Sequence, residues 1–401
     1  MLKRIIAAVL AFSMIFVLAS CKGKKDPAAT KPTSELIASV TSEALNIPDK
    51  KIAILVAAEE QYPEDYRAAK QIEAAFPNKV TVREYPATVP LVAGDPEIMT
   101  ISREIAADDS YGAIIYAKAT QYTYDAVRAA KEVNPEIKTV CVEPEGSVDK
   151  LANSSELVIC VDWVKAANDI VAQAKAQGAQ YFIFFSHNRH ISGNGAADDG
   201  IAMLYATAKN AVSVACEEQG ITFISDTAPD PIHSGGINAV NRYMREAIGR
   251  HAESYPLAEG NVALFSSDAF AQQELINIAN EKGYIYISPS FPSAYNGISS
   301  VYDVAIPENI IDVDTYIESA KAAVDGNAKF SIYSYPLATV MLYTAVYCTF
   351  DLLSGNTTAE NLSDKVTMRA TDCAANDGFT VETFGNYTNV FAVYCPAFEA
   401  L

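Results

Sequence analysis

Basic residues are scarce in this sequence. Its 401 residues include 30 lysines and arginines against 49 aspartates and glutamates, which gives a formal net charge of −19. Proteins that bind nucleic acid present clustered positive charge to the phosphates, and no basic stripe occurs here. The acidity therefore disfavours a nucleic-acid partner. It is typical of a surface that stays soluble and is repelled by anionic lipid.

Two further patterns are absent. No Cys-x-x-Cys pair occurs, which disfavours a zinc ribbon and a thioredoxin-type motif. No second long apolar segment follows the amino-terminal one, so no later transmembrane helix is predicted. Cys141 and Cys160 lie near the ends of two consecutive predicted strands. The sequence allows two alternatives for them, a disulfide or two free buried thiols.

The amino-terminal segment carries the most specific pattern in the chain. Lys3-Arg4 precedes an apolar run over residues 5–18, and Cys21 follows Leu-Ala-Ser. A basic start, an apolar stretch and small residues at the cut are typical of a secretory signal. The run is shorter than the ~20 residues that a bilayer core requires. The Leu-Ala-Ser-Cys end resembles the lipobox of bacterial lipoproteins, with an ordinary signal peptide as the alternative.

This resemblance implies a signal peptide over residues 1–20 that is removed, and acyl chains, palmitate among them, on Cys21. Lipid on the new terminus would anchor the protein to the cell membrane on its extracytoplasmic face. Residues 22–33 are rich in Lys, Gly, Pro, Ala and Thr, and residues 21–48 are expected to form a flexible tether.

From residue 51 onward, apolar runs alternate with helical stretches. Runs without polar alternation, separated by helices, are typical of a parallel sheet buried on both faces. The alternation of apolar runs and helical stretches repeats after Asp162, which predicts two consecutive α/β units. The predicted strands cover residues 51–57, 80–84, 113–116, 138–142, 157–161, 181–185, 222–225, 262–265 and 284–287.

The expected fold is therefore α/β, with two doubly wound parallel-sheet lobes joined by a hinge. We expect residues 49–161 plus about 327–355 to form an amino-terminal lobe. Residues 162–326 plus about 356–401 are expected to form a carboxy-terminal lobe. The tail predicts a helix over 336–353 and short strands over 365–369, 378–383 and 389–394.

Candidate ligand-binding residues follow from the architecture. Parallel α/β sheets bind ligands beyond the carboxyl ends of their strands, at the loops that lead into helices. Turn and helix-capping chemistry is the competing interpretation of each polar residue there. The candidates are Glu60, Gln61, Tyr62, Thr120, Gln121, Ser186, His187, Asn188, Asp226, Asp268, Ser290, Tyr295 and Tyr335.

Other chemistries are weaker interpretations of the same loops. His187 and His190 form a His-x-x-His pair, but a metal site needs a third and fourth donor, so no metal is predicted. Ser186 lies beside His187 without a Gly-x-Ser-x-Gly elbow, so no catalytic nucleophile is predicted. The adjacent carboxylates Glu59 and Glu60 diverge along the chain, which favours capping or solute binding over acid–base work. No cofactor is predicted.

Two α/β lobes behind a lipobox and a tether resemble a type I periplasmic solute-binding protein. Ser266-Ser267-Asp268 resembles the stretch where that superfamily places a ligand-contacting acid, and residues 336–355 resemble its late helix that returns to the first lobe. Residues 215–223, 228–231 and 288–297 resemble an uncharacterised bacterial lipoprotein family within the superfamily. There we expect a histidine before the glycine, and Asn296 stands at that position.

The resemblance implies a membrane-anchored receptor rather than an enzyme. It would capture a small polar solute, such as a sugar, a nucleoside or a related metabolite, and deliver it to an ABC-type permease. A sensor that docks on a signalling receptor is the first alternative, and a hydrolytic enzyme on the same scaffold is the second. A cytoplasmic repressor is disfavoured, because no DNA-binding helices precede residue 50 and Cys21 directs export.

Overall fold

The computed structural model describes most of the chain after the tether. Its described residues are 45–59, 62–85, 97–120, 122–145, 147–191, 200–231, 235–267, 271–287, 293, 295, 297–324, 329–358, 360–374 and 378–401. Several predicted functional residues lie outside this part, namely Cys21, Glu60, Gln61, Gln121, Asp268 and Ser290.

The described strands are β1 (Lys51–Ala57), β2 (Val80–Tyr85), β3 (Tyr111–Tyr116), β4 (Lys138–Val142), β5 (Leu157–Val161), β6 (Tyr181–His187), β7 (Thr222–Ala228), β8 (Val262–Ser266), β9 (Ile285–Ile287), β10 (Phe330–Tyr333), β11 (Thr380–Thr383), β12 (Val390–Tyr394) and β13 (Phe398–Ala400).

The described helices are α1 (Pro63–Ala75), α2 (Glu97–Ala107), α3 (Thr123–Val133), α4 (Val148–Ser154), α5 (Trp163–Ala176), α6 (Asn188–Ile191), α7 (Gly200–Glu218), α8 (Gly236–Ser254), α9 (Gln272–Lys282), α10 (Ile298–Tyr302), α11 (Val313–Ala323), α12 (Leu337–Leu353) and α13 (Leu362–Ala374).

Seven strands form the first sheet, in the order β11-β12-β5-β4-β3-β1-β2. The strands run parallel except β11, which pairs antiparallel with β12 at one edge. Next to the edge strand β2, Ile54 of β1 lies between Val82 of β2 and Ile115 of β3. The apolar residues of β1 are fully buried because helices cover both faces, as an uninterrupted apolar run requires.

Six strands form the second sheet, in the order β13-β10-β9-β8-β6-β7. Here Ile183 of β6 lies between Ile224 of β7 and Leu264 of β8, and only β13 runs antiparallel. We call the first sheet with α1–α4, α12 and α13 the first lobe. The second sheet with α5–α11 is the second lobe. The predicted fold class is confirmed, with one antiparallel edge strand added to each sheet.

The chain passes between the lobes three times. The passages lie between β5 and α5, between β10 and α12, and between β12 and β13. The first lies at residue 162. The other two do not lie at the expected bounds of 327 and 355, because β10 joins the second sheet while β11 and β12 extend the first.

The tail explains the difference. The strand predicted over 365–369 is wrong, since these residues lie within α13, which packs on α12. The next strand, β12, then pairs with β5 through Phe391 and Ile159 and so belongs to the first sheet. Helix α12 is apolar on nearly every side and is buried against α1, α13 and the first sheet.

Hydrogen bonds join the three passages side by side. The Asp162 amide donates to the Val393 carbonyl over 2.9 Å, and the Ser334 amide donates to the Ala397 carbonyl over 2.6 Å. The Tyr394 hydroxyl donates to Asp169 Oδ2 of α5 over 2.9 Å. The passages therefore form one hydrogen-bonded strip between the lobes.

The six cysteines in the described residues are free thiols. Cys141 pairs in register with Val158, and its sulfur lies 3.5 Å from the Ser155 hydroxyl. The disulfide with Cys160 is therefore not formed, and the free-thiol alternative holds. Burial raises the pKa of both thiols to about 12, which keeps them protonated.

Across the described residues, no helix combines the length and apolar character needed to cross a membrane.

Candidate functional site

The carboxyl ends of β1, β3 and β4 meet the amino terminus of α1. Pro63 begins α1, where its missing amide proton costs nothing, and Glu64 and Asp65 lie in the first turn, where the helix dipole favours negative charge. Lys118 lies just beyond β3 and Glu143 just beyond β4. The parallel register places these side chains at one edge of the first sheet.

Lys118 and Glu143 form a buried ion pair. Nζ of Lys118 lies 2.6 Å from Oε2 of Glu143, and the two side chains are 4% and 1% exposed. Glu145 Oε1 lies 3.9 Å from the same nitrogen. Burial alone would lower the pKa of Lys118, but Glu143 and Glu145 raise it above its ordinary value, so the ammonium stays charged.

Carboxyl groups outnumber cations at this edge. Burial raises the pKa of Asp65 well above its ordinary value, and the nearby Glu143 charge raises it further. Burial also raises the pKa of Glu143, against the opposing effect of Lys118. Among the described residues, Oδ1 of Asp65 and Oε1 of Glu143 are buried and have no hydrogen-bond partner. We call Asp65, Lys118, Glu143 and Glu145 the acid cluster.

Tyrosine rings cover the acid cluster. The Lys118 ammonium lies 5.3 Å from the centre of the Tyr62 ring, and the Tyr62 hydroxyl donates to Glu145 over 3.3 Å. The buried Tyr85 hydroxyl donates to the Lys118 carbonyl over 3.0 Å. The pKa of Tyr62 is raised mainly by burial, and further by Glu145 and by Tyr205 of α7. Tyr205 belongs to the second lobe, which contacts the first through Ser293 and Glu64.

The second lobe contributes an aromatic and hydroxyl-rich face. The His190 ring stacks on Tyr205 with centroids 4.2 Å apart and planes 13° apart. Nδ1 of His190 lies 2.9 Å from the Ser267 hydroxyl at the end of β8. The His187 ring lies edge-on to His190 at 5.4 Å, and the Ser186 hydroxyl donates to the Asp226 carbonyl over 3.4 Å.

Helix α1 also binds the second lobe directly. Oε2 of Glu64 accepts from the Ser293 hydroxyl over 2.7 Å, while Oε1 accepts from the amide and hydroxyl of Thr339 in α12. Arg67 donates from one guanidinium nitrogen to the carbonyls of Ile306 and Pro307 over 2.7 and 2.9 Å. A polar contact between the lobes therefore flanks the acid cluster.

The structure brings only some of the predicted residues to this edge. Tyr62 covers the acid cluster in the first lobe, and ring contacts connect His187 through His190 to Tyr205 in the second lobe. Thr120 accepts from the Tyr122 amide over 3.4 Å, as a turn residue does.

Three other candidates have their polar groups engaged elsewhere. The Asp226 carboxylate accepts from Tyr243, contacts His251 at 2.9 Å and faces α8. The hydroxyl of Tyr295 donates to the Ile310 carbonyl over 2.5 Å, and that of Tyr335 to the Ala374 carbonyl over 2.8 Å. Both tyrosines are buried in the hydrophobic core.

Asn188 borders a separate cavity. This cavity has a volume of about 470 Å³ and belongs to the second lobe alone, at the carboxyl end of β7 and along α8. It is lined by Asn188, Thr227, Ala228, Pro229, Ala239, Arg242, Tyr243 and Glu246.

Sequence reasoning missed four charged residues at the edge, namely Asp65, Lys118, Glu143 and Glu145. Lys118 and Glu143 obey the same strand-end rule as the candidates, because each follows an apolar strand within two residues. A charged residue within two residues of the end of a buried strand is the pattern that could have found them. Within the described part of the chain, no group of three or more His, Cys, Asp or Glu could hold a metal ion.

Comparisons with known sequences identify the family of this chain. The family described as "Protein of unknown function (DUF3798)" matches residues 50–331. Two proteins of Treponema pallidum (strain Nichols), each described as an uncharacterized protein, are 22% and 27% identical over 151 and 134 residues. These matches cover 38% and 33% of this chain, and 66% and 57% of the relatives.

Two solved structures are similar over most of the chain. A "Putative transcriptional regulator" from Clostridium difficile 630 has a TM-score of 0.66 at 16% identity, covering 88% of this chain and all (100%) of that one. A periplasmic ribose ABC transporter protein from Conexibacter woesei DSM 14684 has a TM-score of 0.51 at 11% identity, covering 83% and 100%. The fold is that of type I periplasmic binding proteins, as the resemblance implied.

Proposed function

Since the chain belongs to the family described as "Protein of unknown function (DUF3798)" and has a type I periplasmic-binding-protein fold, we propose that it captures a small polar solute between its two lobes. One observation carries the proposal. Charged and aromatic side chains around Lys118 and Tyr62 lie at the strand ends of the first lobe, and Tyr205, which stacks on His190 in the second lobe, contributes to the raised pKa of Tyr62. A solute between them would contact both lobes.

Closure follows from contacts on both sides. A ligand shifts an equilibrium between open and closed forms by its differential affinity for the two, so contacts made by both lobes favour closure. The hydrogen-bonded strip of Asp162, Ser334, Val393, Tyr394 and Ala397 would be the hinge. The Glu64–Ser293 and Arg67–Ile306 contacts would form as the lobes close.

The proposed ligand-binding set combines predicted and newly found residues. Tyr62, Thr120, Ser186 and His187 stand as candidates from the sequence, while Asn188 borders the separate cavity of the second lobe. The acid cluster joins them from the structure. Residues outside the described part stay predictions, namely Glu60, Gln61, Gln121, Asp268 and Ser290.

We place this receptor on the extracytoplasmic face of the cell membrane, held by lipid on Cys21, with an ABC-type permease as its partner. The support is the lipobox pattern and the fold shared with the periplasmic ribose ABC transporter protein. The test is solute uptake in cells that lack this gene. Uptake of the captured solute should fall and return with the wild-type gene, and unchanged uptake would contradict the permease partnership.

Capture is tested with the purified full-length chain and a panel of sugars, nucleosides, amino acids and vitamins. A solute at a hundredfold excess over its Kd should add about 2.7 kcal/mol to the free energy of unfolding. Small-angle X-ray scattering should show a smaller radius of gyration in its presence. Turnover of the solute would favour the enzyme alternative instead.

A matched pair of variants places the binding site. Tyr62→Ala removes the ring that covers Lys118 and should abolish the stabilisation by solute. Tyr111→Ala removes a ring at the amino end of β3, where its hydroxyl contacts Thr81 at 3.0 Å, and should leave that stabilisation intact. If no solute of the panel changes the unfolding temperature or the radius of gyration, the capture proposal is wrong.

A further inference from the structure

We propose that the captured solute carries a positively charged nitrogen, a protonated amine, and that the acid cluster binds it through Asp65 and Glu143. This inference rests on the proposed function and names the chemical class of its ligand. It depends on the balance of charge, on unused hydrogen-bonding capacity and on the surrounding rings.

The balance of charge is negative. Three carboxyl groups of the acid cluster, from Asp65, Glu143 and Glu145, face the single ammonium of Lys118. The fourth nearby carboxyl, Glu64, already accepts hydrogen bonds at both oxygens. Lys118 can neutralise one of the three carboxylates, so a bound cation would reduce the negative charge that the ionised cluster retains.

Unused hydrogen-bonding capacity marks where that cation would lie. Buried carboxylate oxygens almost always have a donor, because an unsatisfied one loses its hydration without compensation. Asp65 is 5% exposed and Glu143 is 3% exposed, yet each keeps one oxygen without a partner among the described residues. Asp65 lies in the first turn of α1 and Glu143 lies just beyond β4, at the same edge of the first sheet.

An ammonium group fits these acceptors better than a metal ion. It supplies up to three donors to carboxylate oxygens and also interacts with aromatic faces, here that of Tyr62. A metal ion would need three or more suitable ligands, and the described residues contain no such group. An anionic solute would be repelled by the excess of carboxylates.

The first experiment needs only the wild-type chain. Calorimetry compares pairs of probes that differ in one charged group, namely glucosamine with glucose, and putrescine with 1,4-butanediol. We expect at least one amine to bind about 10- to 100-fold more tightly than its hydroxyl partner, as a charged hydrogen bond implies. Equal affinities within both pairs, with sugars or nucleosides bound, would overturn the amine class while leaving the proposed function in place.

The second experiment places the amine. Asp65→Asn and Glu143→Gln each remove one negative charge at nearly constant shape and should weaken the bound amine by a similar factor. Glu104→Gln makes the same change of charge on exposed α2, where Glu104 pairs with Arg83 at 3.0 Å, and should leave the affinity unchanged. An amine whose affinity is equal in all three variants would overturn the site. If none of these probes binds while another, uncharged solute of the panel does, the amine class is wrong and solute capture stands.

Discussion

Glu64 in α1 of the first lobe accepts a 2.7 Å hydrogen bond from the Ser293 hydroxyl, beyond β9 of the second lobe. The carboxyl group that makes this contact between lobes is fully buried. Burial raises its pKa from 4.5 to about 7, although the hydrogen bonds from Ser293 and Thr339 oppose the rise. The contact between the lobes is therefore sensitive to protonation near neutral pH.

The first prediction concerns the pH dependence of stability. The folded pKa of Glu64 exceeds its unfolded pKa, so the folded state binds the proton more tightly. The resulting stability is present below about pH 4.5 and is lost as pH rises to about 7. We expect a loss of roughly 3 kcal/mol from Glu64 over this range. Urea unfolding at a series of pH values measures it.

Glu64→Gln separates this group from its neighbours, because glutamine mimics the protonated carboxyl at every pH. The variant should lose most of the decline between pH 4.5 and 7, while the exposed control Glu104→Gln should keep it. An equal decline in Glu64→Gln and in the wild type would assign the pH dependence to other carboxyl groups.

The second prediction concerns the buried pair of Lys118 and Glu143. Lys118→Met leaves the Glu143 carboxylate without its 2.6 Å partner and should lower the free energy of unfolding by about 3–5 kcal/mol. Adding Glu143→Gln should restore part of that loss, because the orphaned charge is removed. The free energies of unfolding of both variants are obtained from urea denaturation midpoints, with the dependence of the free energy on urea concentration unchanged.

Lys131→Met is the matched control for Lys118→Met. Lys131 lies 3.2 Å from Glu156, and both side chains are partly exposed, so this change should cost about 0–1 kcal/mol. Comparable losses for Lys118→Met and Lys131→Met would mean that burial does not set the strength of the first pair.

Much of the fold could be predicted from the sequence, because a strand buried on both faces needs an unbroken apolar run. The strands Lys51–Ala57, Lys138–Val142 and Leu157–Val161 match their predicted bounds for this reason. The tail could not be predicted as well. The apolar face of α13 is defined only by its packing on α12, and β10 and β13 are too short to have a period of their own.

The candidate site was predicted less completely. The strand-end rule found Tyr62 but cannot say which polar residues become buried. Asp65 and Glu143 are charged residues that ordinarily lie in solvent, and only the packed structure shows them buried beside Lys118. The same rule selected Asp226, whose carboxylate the fold turns towards Tyr243 and His251.

The third prediction concerns the attachment of α13 to α12. Arg369 donates from Nε and a terminal nitrogen to the two oxygens of Asp351 over 2.7 and 3.0 Å, and both side chains are fully buried. Asp351→Asn keeps the shape of the side chain but removes the charge that compensates Arg369. The free energy of unfolding should therefore fall by about 3–5 kcal/mol. The surface variant Glu104→Gln, which breaks the exposed pair with Arg83, should change stability by less than about 1 kcal/mol. A small effect of Asp351→Asn would show that the neighbouring Asp372, 3.8 Å from Arg369, suffices to hold the buried cation.

The fourth prediction concerns the membrane anchor. If Cys21 carries the acyl chains, Cys21→Ser removes the only attachment point for them in the Leu-Ala-Ser-Cys pattern. The variant should leave the membrane fraction and become soluble, or keep an uncut signal, which mass spectrometry of the amino terminus distinguishes.

Cys373→Ser, which changes a half-buried thiol of α13, should stay with the membrane fraction like the wild type. Stable anchoring depends on the methylene groups of acyl chains buried in the bilayer. If a Cys21→Ser chain is processed and still binds the membrane, it must be attached by some means other than acyl chains on Cys21. That outcome would favour the ordinary signal peptide over the lipoprotein interpretation.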